Sequence, residues 1–125
     1  MIEFEMMRQL LCSEYDGLRE KVVAAADDWI GTKGEFIPHL WIRQLCILVQ
    51  DRFLVGDYEQ ANSLFVLVEK ILTEGNADVK SAIAAGFLEG LINRGSLPAD
   101  NWRPLLGPLA RKYCESVDRF HGINR

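Results

Sequence analysis

The chain has 125 residues, 49% hydrophobic and 26% charged, with a net charge of -4 and a pI near 5.2. This is ordinary globular composition for one domain, 1–125, long enough to bury a core without metal or disulfide staples. It excludes a disordered chain, and the acidic balance argues against a nucleic-acid binder, which needs clustered Lys and Arg.

The predicted elements are all helical. The N-terminal "MIEFEMMRQLL" carries acids where a signal peptide would carry basic residues. It predicts a first helix over Ile2 to Cys12, with Phe4, Met7 and Leu11 on one stripe and Ser13 as a cap. A second helix is expected from about Tyr15 to Ile30, with Leu18, Val22, Ala25 and Trp29 on one face. The two glycines of "GTKGEF" end it and turn the chain. Pro38, at a position where proline is tolerated, opens a third helix to about Val55. "CILVQDRFLV" is β-branched enough to suggest a strand, but the long run without Gly or Pro favours a buried helix. A fourth helix follows the Asp57 cap and runs to Glu74, its apolar residues at i, i+3, i+4 and i+7 spacing. A fifth starts after Asn76 and reaches Asn93 with Val79, Ile83, Phe87 and Leu91 as its stripe, and Gly86 and Gly90 bring it close to a neighbour. "GSLPAD" is a turn, Asp100 caps a short turn at Trp102, and Gly107–Pro108 restarts the chain as a last helix to about Phe120. The expected fold is all-α: a compact antiparallel array of about six helices arranged as HEAT-like or bundle-like hairpins. No segment approaches the ~18 apolar residues of a membrane span.

Three stretches share a layout: "VQDRFLVGD", "VEKILTEGN" and "LEGLINRGS". Each ends in a glycine suited to the left-handed helix stop, followed by Asp, Asn or Ser able to cap the next helix. A helix and turn of ~20 residues would pair into hairpins of ~40, the size of a HEAT unit. A true repeat and convergent helix-hairpin grammar both account for the likeness.

Few motifs carry chemistry. Cys12, Cys46 and Cys114 are odd in number and widely spaced, which fits reduced, buried thiols in a cytosol. His39 and His121 lack partners at metal-ligand spacing, so no metal and no cofactor is expected. No GxSxG, GxGxxG or Walker loop occurs. Glu69 and Glu89 hold equivalent places in two helices. Facing each other, and joined by His39, they would make a small acid–base enzyme. The competing reading is that both are polar edges of packed helices, with Glu89 bonded to a neighbouring turn, Arg94 or Arg111.

The segment "DDWIGTKGEFIPHLW" is the least ordinary. Asp27, Asp28 and Glu35 lie beside Trp29 and Trp41, and acids beside large aromatics suit a protein interface. Core tryptophans with solvated acids would leave the same pattern.

Three stretches carry a family likeness: "PHLWIRQL", "LVEKILTEGNADVKSAIAAGFLEGL" and "LLGPLARKY". Across about Leu18 to Phe120 the chain resembles small all-helical bacterial proteins similar to immunity proteins encoded beside polymorphic and contact-dependent-inhibition toxins. The resemblance brings no catalytic residues. It implies a cytoplasmic, non-catalytic protein that binds a cognate toxin domain such as a nuclease, with no nucleic acid or membrane partner, and a monomer or weak oligomer when free. A structural or self-stacking helical module is the remaining alternative.

Overall fold

Proline and asparagine set two of the helix starts as their chemistry requires. Pro38 occupies the first helical position of α4 (Pro38–Leu54), where its missing N–H is no loss. Asn76 caps the start of α6 (77–93), its side chain accepting from the Val79 amide at 2.9 Å. The computed structural model describes residues 1–93, 98–120 and 122. The other helices are α1 (Phe4–Glu14), α2 (Leu18–Ala24), α3 (Ala26–Trp29), α5 (Ala61–Glu74) and α7 (Pro108–Phe120). α6 is continuous but changes pitch: Ala77–Ser81 is α, Ala82–Leu88 is π, and Glu89–Asn93 is α again. Short 3-10 turns, Ala99–Asn101 and Arg103–Leu105, flank the buried Trp102. The described residues hold no strands, only isolated bridges pairing Ile2 with Gly75 and Ile30 with Phe36. The all-α helical array is therefore as expected, and no helix among the described residues is long and apolar enough to cross a membrane.

α4 is central. Trp41, Ile42, Leu45, Cys46, Val49 and Phe53 are all buried, so core surrounds most of its circumference. It packs against α2, α3 and, most extensively, α6. α5 meets α1, α6 and α7. Consecutive helices α4 and α5 are thus not the main partners of one another; α6 supplies the large contact with α4.

Several expectations need correction. Ser13 lies within α1 and Asp100 within the Ala99–Asn101 turn, so neither serves as a cap. The second helix breaks at Ala25, which leaves α3 as a separate turn. The break places Asp27 and Asp28 in a first turn, where acids are favoured, instead of near the end of a longer helix. The indole N–H of Trp29 donates across the break to the Val22 carbonyl at 2.7 Å. Asp57 does not cap α5, which begins only at Ala61; its carboxylate accepts from the Glu59 amide at 3.2 Å within the intervening turn. The first helix starts at Phe4 because Ile2 is engaged elsewhere. Ile2 donates to Glu74 O at 2.8 Å and accepts from Asn76 N at 2.9 Å. That bridge holds Gly75 extended, at φ -71°, whereas Gly56 at the end of α4 has φ +79°. The two glycines therefore do different work. Gly56 reverses the chain, while a Cβ on Gly75 would sit 2.6 Å from Ile71 O and 2.8 Å from Val79 Cγ1. The closing Gly95 and Ser96 of the third similar stretch, and Arg94 and His121, lie outside the described residues.

The π segment explains the spacing of the α6 stripe. Residues four apart drift about 40° per step around an α-helix. Wider i→i+5 turns remove that drift. Val79, Ile83, Phe87 and Leu91 consequently all stay buried, and a parallel row through Gly86 and Gly90 faces α4. A Cβ on Gly86 would collide with Ile42 Cγ2 and come within 3.2 Å of His39 O; one on Gly90 would lie 2.9 Å from Cys46 Sγ. Gly86→Ala is expected to cost roughly 1–3 kcal/mol, the range for overpacking a core. Chemical denaturation reads this directly, and an unchanged midpoint would mean that the helices separate freely.

Candidate functional site

The segment between α3 and α4 folds onto an aromatic platform. Gly31 N donates to Glu35 O at 2.8 Å and Ile37 N to Trp29 O at 3.1 Å, closing a tight loop. The Glu35 carboxylate turns back to accept from the Lys33 amide at 2.9 Å. Phe36 stacks on Trp29 with centroids 5.3 Å apart and planes 9° apart. Phe4 meets Phe36 at 6.4 Å and Trp41 at 6.0 Å, both edge-on.

Arg8 stands in the middle of these rings. Its guanidinium carbon lies 4.9 Å from the Phe36 centroid, 5.7 Å from Trp41, and 5.8 Å from both Phe4 and Trp29. Glu5 pairs with it at 2.9 Å. A cation over aromatic faces is attracted by the ring quadrupoles, by about 0.5–2 kcal/mol. Arg8 thereby ties α1 to the loop and to α4 at once. Neither Arg8 nor Phe4 stood out in the sequence as a site residue, although Phe4 and Arg8 are one turn apart on α1 and so share a face.

The five residues expected at an interface divide into two groups. Trp29 and Trp41 are buried, 6% and 0% exposed, so they support the surface from below and present no contact of their own. Asp27, Asp28 and Glu35 are exposed. Beside them the structure adds two apolar groups, Phe36 at 52% and Ile30 at 38% exposed. The result is a small apolar patch with a carboxylate rim, held on a rigid base.

Glu69, Glu89 and His39 are not joined by any hydrogen bond among the described residues. Glu69 accepts from the amides of Leu109 at 2.8 Å and Ala110 at 3.0 Å, so it caps the first turn of α7 from across the fold. Glu89 accepts from the Tyr113 hydroxyl at 2.9 Å. Burial and that bond together push the Tyr113 phenol up to about 12. Arg111 instead donates to the Leu106 carbonyl at 3.2 Å. His39 is exposed at the start of α4, with Nε2 3.3 Å from Ser81 Oγ. The two glutamates thus share one structural task, anchoring α7. Glu69→Ala should cost about 1 kcal/mol, as loss of a helix cap does, and a thermal melt indistinguishable from wild type would contradict that role.

The surroundings of Cys12 and Cys114 do not favour a thiolate. Burial pushes the Cys114 thiol up to about 11 and raises Cys12 as well, against the opposing pull of Arg19 and Arg8 on Cys12. A reactive cysteine needs the reverse shift. Among the described residues, no group of three or more His, Cys, Asp or Glu side chains could hold a metal ion.

No curated protein and no solved structure matched this chain in comparison. One family model does match, over residues 8–122, which takes in every helix from the middle of α1 to the end of α7. The chain belongs to the family described as Domain of unknown function (DUF7674).

Proposed function

We propose that the protein is a non-catalytic protein-binding module, an immunity protein that binds and neutralises a cognate bacterial toxin domain in the cytoplasm. The observation carrying this reading is the exposed pair Phe36 and Ile30, rimmed by Asp27, Asp28 and Glu35 and fixed from beneath by Trp29, Trp41 and Arg8. Interfaces with a few aromatic anchors and a charged rim use the anchors for affinity and the rim for steering. A loop already tied down loses little entropy on binding. Net charge of -4 adds a long-range attraction toward a basic partner, such as the cleft of a nuclease.

The separate structural duties of Glu69, Glu89 and His39 favour this reading over a small enzyme built on those three groups. The test begins with the neighbouring reading frame. If it encodes a large secreted toxin, its C-terminal domain should co-purify with this chain and lose activity in the complex. A toxin domain that stays active and elutes alone would reject the immunity role.

A further inference from the structure

The contact between α4 and α6 leaves a trench on its outer side, distinct from the Phe36–Ile30 patch described above. Gly86 and Gly90 let the helices approach, and Ala85 adds only a methyl group, so the α6 wall is low. The α4 wall is high and polar: His39 and Arg43 are four residues apart, one helical turn, and both are exposed. Leu40, Cys46 and Asn93 complete the lining. The cavity is about 320 Å³, within the ~300–1,000 Å³ usual for small-molecule sites.

Its chemistry is one-signed. No carboxylate lines this trench, and Arg43 makes no ion pair among the described residues. Arg43 and Leu40 also line a neighbouring hollow with Asp28, Gln44 and Ile47, so the Asp28 carboxylate belongs to that hollow and not to the trench. A guanidinium presents parallel N–H groups that match a carboxylate in two-pronged fashion. The His39 ring, held near Ser81, adds a polar edge one turn away. Leu40, Ala85 and Gly86 offer an apolar floor for a short hydrocarbon body. Ala85 and Gly86 belong to a π-helical stretch, rare and frequently found at functional sites.

We propose that this trench binds a small organic monocarboxylate, its carboxylate on Arg43 and His39 and its alkyl part over Ala85 and Gly86. A single permanent positive charge suits a monoanion better than a phosphate dianion, and the apolar floor gives an inorganic ion nothing.

Titration of the ¹⁵N-labelled protein with sodium butyrate, against sodium chloride at equal ionic strength, tests this. Saturable shifts of the Gly86 and Gly90 amides are expected with butyrate only. Arg43→Gln should weaken them about tenfold, the loss of one charge-assisted contact. Ala85→Leu, at an exposed helical position, should fill the trench and abolish binding while the rest of the spectrum stays native. Shifts that chloride reproduces, or that survive both substitutions, would overturn the site. Inorganic phosphate binding as tightly as butyrate would overturn the carboxylate assignment.

Discussion

Asp118→Ala should destabilise the protein by roughly 3–5 kcal/mol, the loss seen when one partner of a buried ion pair is removed. Asp118 is 4% exposed near the end of α7. Its two oxygens meet Arg103 in a fork, Oδ1 to Nη2 at 3.0 Å and Oδ2 to Nη1 at 2.8 Å. Arg103 also lies against the Trp102 ring, 5.1 Å from its centroid. Removing the carboxylate would strand a guanidinium whose side chain is only 18% exposed. The pair also joins the 102–106 segment to α7, so its loss would loosen both. Against a typical total stability of about 5–15 kcal/mol, this single change could leave much of the chain unfolded at 37 °C. The double substitution Arg103→Met with Asp118→Leu should recover most of the loss, because the penalty comes from the stranded charge. Urea denaturation measures both. A loss under about 1 kcal/mol for Asp118→Ala would mean that the pair behaves as a solvated surface bridge.

Trp41→Ala comes next, at about 3–5 kcal/mol for truncating a large core aromatic. Trp41 is fully buried on α4, and Phe4 and Arg8 both rest on it. Its loss would empty the floor under the α3–α4 loop and remove one of the four rings around Arg8. The expected signature is therefore local as well as global. Amides of Gly31 and Ile37, which close the loop, should exchange faster relative to those of α5. A uniform loss of protection across the chain would deny Trp41 any special hold on the loop.

Much of the architecture was legible because single residues enforce it. Pro38 and Asn76 fix helix starts by backbone chemistry, and Gly107–Pro108 restarts the chain where α7 begins. Gly86 and Gly90 signalled a close helix contact, since nothing larger fits against Ile42 and Cys46. What escaped was set by distant partners. Ile2 reaches Gly75 across 73 positions of sequence and changes what that glycine does, so its likeness to Gly56 was only textual. The α2–α3 break depends on Trp29 taking the Val22 carbonyl, a bond no local pattern announces. The π turn did leave a trace, the unbroken four-residue spacing of Val79, Ile83, Phe87 and Leu91, which an α-helix would have let drift.

The candidate surface was legible as a segment and blurred as a set of residues. Acids beside aromatics marked 27–41, but which rings were covered depended on the packing of α1. Arg8 and Phe4 cover Trp29 and Trp41, and the stacking on Trp29 leaves Phe36 partly outside. Glu69 and Glu89 matched in sequence and proved alike in purpose, though one caps a helix and the other holds a phenol.

The proposed binding of a basic protein partner through the α3–α4 loop is open to direct measurement. Where the neighbouring reading frame encodes a toxin, calorimetric titration of its C-terminal domain into wild type, Asp27→Lys/Asp28→Lys and Phe36→Ser tests it most directly. Both variants change only exposed or half-exposed side chains, and their folding is checked by circular dichroism. Binding about tenfold weaker or worse is expected for each, equal to ~1.4 kcal/mol. The lysine variant should also show a flatter or reversed dependence on salt. Wild-type affinity and wild-type salt dependence in both folded variants would contradict it.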